Sequence, residues 1–366
     1  MKKHIRIAIG LLTILYTSCT QTFTVSQARL SSEFAQVLVD RGYIKNADNI
    51  KLSELEKITE LDISNANLTS LDGIEHFKSL IKLDCSCNNI EYLDVSNNQN
   101  LEYLDCSLNN VTTLDVIQNL NLKYLSCAKS HVNDGKLTNL DISNNLNLEV
   151  LNCGGNDIKI LDISKNTNLT ELFCVDNQLT NLDVRNNTNL TFLSCMENKL
   201  TSLDVSKNTN LTELSCDDNL LMNLDLSKNT NLTTLWCSNN RLANLDISRN
   251  TRLTKLECWE NKLTSLDISK NTSLTYLDCA QNQLTNLDVS KNTSLTWLDC
   301  VQNQLTNLDI SKNIYLQYLS CKENPGNGSK FPVKAWFNNY SIPNTLNIDA
   351  KSWEYNGNTI TIDFYK

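Results

Sequence analysis

Residues 169–189 read LTELFCVDNQLTNLDVRNNTN, and the same pattern begins again at Leu190. Leu, Cys and Asn return at the same places in unit after unit, with steps of 21 residues and one step of 26 residues between Cys127 and Cys153. The cysteines of this register are Cys85, Cys106, Cys127, Cys153, Cys174, Cys195, Cys216, Cys237, Cys258, Cys279, Cys300 and Cys321. A constant period of this length indicates a chain wound into stacked, equivalent coils that bury their apolar residues against one another.

Each unit contains two similar halves, and both alternate apolar with polar residues. Leu172 and Cys174 alternate in the first half, and Leu182 and Val184 alternate in the second. A period of two is typical of a strand with one buried face. The pattern therefore predicts a β-rich solenoid of about thirteen coils with two short strands per coil and low curvature, about 60 Å long at a strand spacing of ~4.8 Å.

The spacing L-x-x-L-x-C-x-x-N-x-L, followed by L-x-x-L-D-V-S-x-N, resembles the nested 21-residue leucine-rich repeats of bacterial, Bacteroidetes-type surface proteins. The resemblance covers roughly residues 58–323. It implies a leucine-rich-repeat fold and a secreted or surface protein that mediates protein–protein contacts. Such a motif is specific for the fold and weak for the function.

The repeats should be closed by a cap at each end, because a terminal coil has no neighbour to cover it. Residues 19–57 are expected to provide the lipid-attachment site, a linker and an N-terminal cap with a short helix over residues 32–41, stopped by Gly42. Residues 324–366 are expected to form a C-terminal cap. Within it, a short helix is predicted from Pro332 through Phe337, and Asn356-Gly357 predicts a β-hairpin.

The N-terminus has the features of an export signal. Lys2, Lys3 and Arg6 precede an apolar run over residues 7–15, too short to span a membrane, and small residues follow before Cys19. This resembles a lipoprotein signal, which implies removal of residues 1–18, lipid attachment at Cys19 and an outer-membrane or cell-surface location. The alternative is an ordinary signal peptide in which Cys19 carries no lipid.

Charge and composition exclude several partners and reactions. Loss of the three positive charges of residues 1–18 changes the formal net charge from −9 to −12, which argues against nucleic acid as a partner. The sequence contains three histidines and no nucleophile-elbow or phosphate-binding glycine motif, so an enzyme is not expected. No cofactor is predicted.

The stacked cysteines are interpreted as small buried hydrophobes, and metal or disulfide roles are the weaker alternatives. A second column, of aspartates, should repel along the stack unless it is compensated. Backbone N–H groups of the turn and lysines three residues on are the expected compensation, and Ca²⁺ bound in a structural rod is the alternative. This column comprises Asp94, Asp115, Asp141, Asp162, Asp183, Asp204, Asp225, Asp246, Asp267, Asp288 and Asp309.

The outward positions of the first strand vary and carry large aromatics beside carboxylates, whereas those of the second are uniform. Exposed Tyr, Trp and Phe suit the centre of a protein interface. This face is therefore the predicted binding surface, with a protein partner favoured, a glycan as the alternative ligand, and cross-strand stabilisation as the non-functional explanation. The predicted residues are Tyr103, Tyr124, Glu171, Phe173, Phe192, Glu213, Trp236, Trp259, Tyr276, Trp297 and Tyr318.

Overall fold

The computed structural model describes residues 28–129 and 136–366. Outside these ranges lie the predicted signal peptide, the predicted lipid-attachment residue Cys19 and residues 130–135. Residues 130–135 lie in the segment where a five-residue insertion lengthens the step between Cys127 and Cys153 from 21 to 26 residues. The described chain winds into a parallel β-solenoid of about thirteen turns with little helix, as the repeat period predicts. Among its described residues, no helix is long and apolar enough to cross a membrane.

One strand from each coil contributes to a 14-stranded sheet. Strands β1 to β12 each contain three residues and are Glu60–Asp62, Lys82–Asp84, Tyr103–Asp105, Tyr124–Ser126, Val150–Asn152, Glu171–Phe173, Phe192–Ser194, Glu213–Ser215, Thr234–Trp236, Lys255–Glu257, Tyr276–Asp278 and Trp297–Asp299. After β13 (Leu308–Asp309), the sheet continues with β14 (Tyr318–Ser320) and β16 (Asn347–Ile348). Equivalent residues pair across every repeat interface, as Leu298 does with Leu277 and with Leu319.

The interior is a continuous column of Leu, Ile, Val and Cys. In the unit of residues 169–189, the side chains of Leu172, Cys174, Leu179 and Val184 are each 0% exposed. Because each such side chain packs only on its equivalents in adjacent coils, the core runs the length of the molecule.

The second half of each coil departs from the prediction of a second strand. Within the described ranges, pairing there is limited to the bridges Asp94–Asp115, Asp115–Asp141 and Asp288–Asp309 and to the two-residue β13. Adjacent second halves are joined by a single backbone hydrogen bond, such as the Lys199 N–H to the Leu179 carbonyl at 2.9 Å, which is too few for a ladder. The aspartate then accepts the N–H two residues on, as Asp204 Oδ1 does from Ser206 N at 3.0 Å, and the chain turns. The two-strand coil is therefore wrong for most coils, and the low curvature inferred from it loses that support.

The N-terminal cap forms as predicted. Helix α1 (Ser32–Asp40) begins after Ser31, whose hydroxyl accepts the N–H of Phe34, and Gly42 follows it with φ 77°. A four-residue helix α2 (Leu52–Leu55) and a 3₁₀ turn (Ile74–His76) complete this end. The Tyr43 hydroxyl accepts the N–H of Asp62 at 2.9 Å, which occupies the outer edge of β1.

The C-terminal cap contains the predicted hairpin and lacks the predicted helix. Residues 332–334 belong to strand β15 (Lys330–Lys334), in which Phe331 and Val333 are buried at alternate positions, and residues 335–337 follow it without forming a helix. This alternation of period two decides the element, and Pro332 joins the strand at an outward position. Strands β17 (Ser352–Tyr355) and β18 (Asn358–Tyr365) pair antiparallel around Asn356 and Gly357, which both have positive φ.

Candidate interaction face

We call the twelve cysteines that recur with the repeat the ladder cysteines. The Cys-strand face consists of the outward-pointing side chains of β2–β12 and β14, together with the residue after each ladder cysteine. All eleven predicted site residues lie on this face and are half-buried. Because the strands pair in register, equivalent positions form columns, and Trp297 stands between Tyr276 and Tyr318. The structure thus brings the predicted residues onto one surface, in groups separated along the sheet.

Two groups are aromatic stacks. The rings of Tyr103 and Tyr124 lie 4.2 Å apart and are nearly parallel. Trp297 stacks on Tyr276 at 5.4 Å and on Tyr318 at 3.6 Å. Since these neighbours belong to the coils on either side, both faces of the Trp297 ring are covered. The ring therefore stabilises the sheet as a cross-strand pair does, and it is not free to stack on a sugar.

A third group borders an open depression, which we call the central groove. It has a volume of about 400 Å³. Phe192, one of its aromatic residues, stacks on Phe173 with a centroid distance of 4.7 Å. The residues that line the groove are Phe192, Ser194, Met196, Ser215, Asp217, Asp218, Trp236, Glu257 and Trp259.

Asp217 lies at the base of the groove and is 9% exposed. Its carboxylate accepts the N–H of Ser238 at 2.8 Å and the hydroxyl of Ser215 at 3.1 Å. Burial nevertheless raises the pKa of Asp217 to about 6, since these hydrogen bonds offset the loss of hydration only in part. Asp217 occupies one of the varied outward positions that define the predicted binding surface, although it is not among the eleven predicted site residues.

An acidic pair accompanies the C-terminal aromatic stack. Asp278 and Asp299 occupy equivalent positions on β11 and β12. Burial raises the pKa of Asp278 to about 7 and that of Asp299 above its usual range. Asp278 still accepts the N–H of Ala280 at 3.1 Å. Asp278 and Asp299 are likewise not among the predicted site residues, most of which are aromatic.

Two ladders hold the face in place. An asparagine three residues after the ladder cysteine bonds both to its own coil and to the coil before it. Asn198 Oδ1 accepts the N–H of Leu179 at 3.0 Å, and its Nδ2 donates to the carbonyls of Cys174 at 2.9 Å and Cys195 at 3.1 Å. On the other side of the strand, the hydroxyl of Thr191 donates to the carbonyl of Thr170, and this contact repeats through Thr296. The same contacts repeat in other coils, as at Asn240, and we call this series the asparagine ladder.

The aspartate column is compensated by backbone, as one of the two expected routes requires. Asp225 Oδ1 accepts the N–H of Ser227 at 2.9 Å. That N–H, then the Ser227 hydroxyl and, more weakly, the charge of Lys228 hold the pKa of Asp225 below its usual range. Among residues 28–129 and 136–366, no three His, Cys, Asp or Glu side chains form a group that could hold a metal ion.

The ladder cysteines are buried free thiols, and burial raises their pKa, as for Cys174. This agrees with their interpretation as small hydrophobes. Cys87 differs, because it lies outside the ladder, is exposed and adopts φ 54°.

The insertion interrupts the asparagine ladder, and a lysine takes over part of its role. The buried ammonium of Lys129 donates to the carbonyls of Asn109 at 2.6 Å and Val111 at 2.8 Å. In the following coil, Gly155 has φ 70°, and a Cβ there would lie 2.3 Å from the Lys129 carbonyl oxygen. His131 and Asn133 of this insertion lie outside the described residues.

No family model and no curated protein matches the sequence. Among solved structures, the functional domain of InlJ from Listeria monocytogenes, described as including a cysteine ladder, is 29% identical with a TM-score of 0.59 over 91% of this chain and 96% of that one. An internalin of the same species, inlF, is 23% identical with a TM-score of 0.64 over 78% and 92%. The plant peptide hormone receptor RGFR1, in complex with RGF2, is 22% identical with a TM-score of 0.61 over 83% and 50%. The 21-residue period, the continuous parallel sheet and these likenesses together place the chain among the leucine-rich-repeat solenoids.

Proposed function

We propose that this protein is a non-catalytic, extracytoplasmic interaction scaffold, of the adhesion or adaptor type, that binds a protein partner through the Cys-strand face. The observation that carries the proposal is the difference between the two halves of each coil. The second half repeats one aspartate turn almost unchanged, whereas the Cys-strand face changes from coil to coil in shape, aromatic content and charge.

The central groove gives this face a concave centre with aromatic walls. Trp236, Trp259 and Phe192 are half-buried there, so each has apolar area left for a partner to cover. Interfaces place Trp and Tyr at their centres, because rings supply contact area at low entropic cost. A glycan ligand is less favoured, because the tryptophan of the C-terminal aromatic stack, Trp297, has both ring faces covered by tyrosines and cannot stack on a sugar.

The structural neighbours support a polypeptide ligand by analogy of fold. RGFR1, at 22% identity, is a plant peptide hormone receptor whose structure was solved in complex with RGF2. The same fold offers a long strand face on which an extended chain can lie, and the fold alone does not identify the ligand.

We propose further that the chain is exported and attached to a bacterial outer membrane or cell surface through lipid on Cys19. The basic, apolar and small-residue order of residues 1–19 supports this. Labelling of the full chain with radioactive palmitate should be lost in Cys19→Ala. Undiminished labelling of that variant would refute attachment at this residue.

Site-specific photo-crosslinking tests the interaction face. The full chain should be produced in its native cells with a photoreactive phenylalanine in place of Phe192, and crosslinked proteins should be identified by mass spectrometry. We expect one defined partner, and we expect Trp259→Ala in the same chain to abolish the crosslink.

Tyr92 provides the matched control. It is an aromatic residue on the second half of its coil and is 69% exposed. A photoreactive residue at Tyr92 should yield no such product, and Tyr92→Ala should leave the product at Phe192 unchanged. Equal crosslinking from both positions, or a product insensitive to Trp259→Ala, would rule out the Cys-strand face as the binding surface.

A further inference from the structure

The central groove combines two properties that point to one kind of ligand. Its walls are apolar, with Phe192, Met196, Trp236 and Trp259 around the opening. Its volume of about 400 Å³ falls at the lower end of the range for ligand pockets, which suits one or two side chains better than a folded element.

The charge of the groove is one-sided. Asp217, Asp218 and Glu257 contribute three carboxylates, and the described residues that line the groove include no Lys, Arg or His. Asp217 is the most deeply placed, and its two hydrogen bonds come from neutral donors. A cation that entered the groove would offset the cost of burying this carboxylate.

The rim already shows how an ammonium is held here. Lys255, on the strand after Trp236, places its Nζ 5.2 Å from the centroid of the Trp236 ring and 2.8 Å from Glu257 Oε1. This is a cation–π contact joined to an ion pair. Lys255 pairs with Glu257 at the rim. Among the described residues, no cation pairs with Asp217, or with Asp218, whose carboxylate accepts a hydrogen bond from Asn239 Nδ2.

We propose that the central groove receives a lysine side chain from an extended segment of a protein partner, with the methylene stem against Trp236, Trp259 and Met196 and the ammonium at Asp217. The inference rests on the proposed function, in that it specifies which chemistry of a polypeptide partner the Cys-strand face recognises. Charge complementarity selects the occupant, because a neutral apolar side chain would leave Asp217 both buried and uncompensated.

The pKa of Asp217, raised to about 6 by burial, supplies an independent readout. A bound ammonium favours the ionised carboxylate, so affinity for a lysine ligand should fall as the pH drops through about 6. The charged groups around Asp217 are Asp218, Glu257 and Lys255. Of these, Glu257 adds a further unfavourable charge to ionised Asp217, which an incoming cation would relieve.

Two blocked peptides test the proposal, Gly-Gly-Lys-Gly-Gly and the same peptide with norleucine in place of lysine. They share a backbone and an aliphatic stem and differ in the ammonium. Binding to the full chain is followed by the indole N–H signals of the five tryptophans, assigned by Trp→Phe substitution. We expect the lysine peptide to shift Trp236 and Trp259 and to bind about tenfold more tightly than the norleucine peptide at neutral pH.

Asp217→Asn should remove most of that tenfold preference and its pH dependence. Asp105→Asn, which removes one carboxylate elsewhere on the same face, controls for long-range charge and should change the affinity less than about twofold. Unshifted tryptophan signals in the free variants verify that each one folds, and Asp218→Asn replaces Asp217→Asn if that variant does not.

Equal binding of the two peptides, or shifts absent from Trp236 and Trp259 at millimolar peptide, would overturn the proposal. Free n-butylammonium carries the same stem and ammonium as the lysine side chain and should shift the same two tryptophans; its failure to do so would overturn the assignment of these contacts to the side chain. A retained Phe192 crosslink together with equal peptide binding would leave the proposed function standing and remove only this inference. Selective lysine binding without any crosslinked partner would do the reverse.

Discussion

Replacing Asn198 with Ala should destabilise the coils around it by about 1–3 kcal/mol. The side chain joins two coils, since Oδ1 accepts the Leu179 N–H and Nδ2 donates to the carbonyl of Cys174. Leu179 is 0% exposed, so truncation leaves its N–H buried without a partner, whereas the Cys174 carbonyl keeps the Nδ2 of Asn177 at 3.3 Å. A buried donor without a partner costs about 1–3 kcal/mol, which gives the expected loss.

The matched control is Asn210→Ala. Asn210 is exposed, and its Nδ2 makes one contact, of 3.1 Å, to the carbonyl of Thr188. Water can replace that contact, so the loss should stay below about 1 kcal/mol. Native-state hydrogen exchange is the suitable assay, because repeat arrays open locally and a single unfolding free energy can hide the effect. The Leu179 amide should exchange faster in Asn198→Ala only. Equal effects of the two substitutions would refute the view that the ladder asparagines hold the coils together.

Three further predictions concern individual residues. Asp278→Asn should raise the melting temperature at pH 8 and have no effect near pH 4. The reason is that a carboxyl pKa raised to about 7 in the folded state costs stability above about pH 7 and nothing below the pKa of ~3.9 of a free aspartate. The pKa difference corresponds to about 4 kcal/mol, which partial exposure reduces to about 1–2 kcal/mol, and an equal gain at both pH values would contradict this. A thiol reagent should modify Cys87 far faster than the buried ladder cysteines, as mapped by mass spectrometry, and rapid modification of Cys174 in the folded chain would disprove the packed core. Gly155→Ala should destabilise by about 1–3 kcal/mol in denaturant unfolding, because of the positive φ and the approach of the Lys129 carbonyl, and an unchanged midpoint would show that the backbone adjusts there.

The period of 21 residues was sufficient to predict the solenoid, its buried columns and the strand that contains Leu172. These follow from local alternation of apolar and polar residues, which a sequence displays directly. The second strand was predicted wrongly by the same reasoning. Leu182 and Val184 are buried as expected, but adjacent second halves share a single backbone hydrogen bond, such as the Gln178 N–H to the Ile158 carbonyl at 2.9 Å. Alternation of apolar and polar residues carries no information about how many backbone bonds form.

The candidate site could be predicted as a face and not as a groove. The sequence places Phe192, Trp236 and Trp259 in known columns, yet whether neighbouring rings stack on one another or leave a depression depends on their rotamers and on the small residues between them. The small side chains of Ser194 and Ser215 leave the space through which Asp217 reaches the groove. Pro332 illustrates the same limit, because its entry into a strand depends on its pairing partner Asp363, which lies on β18.

The uniform contact between coils has a consequence for how such a protein can change. Every interface joins the same residue types in the same register, as Leu256 meets Leu235 and Leu277. A gene rearrangement that duplicates or deletes one whole unit between Cys279 and Cys321 would therefore recreate an equivalent interface and keep the residues of the central groove in place. It would move the groove by one strand spacing, ~4.8 Å, relative to the C-terminal cap. The distance between the groove and the C-terminal cap can therefore change with the number of units. The ligand that the groove binds can change separately, through a few outward side chains.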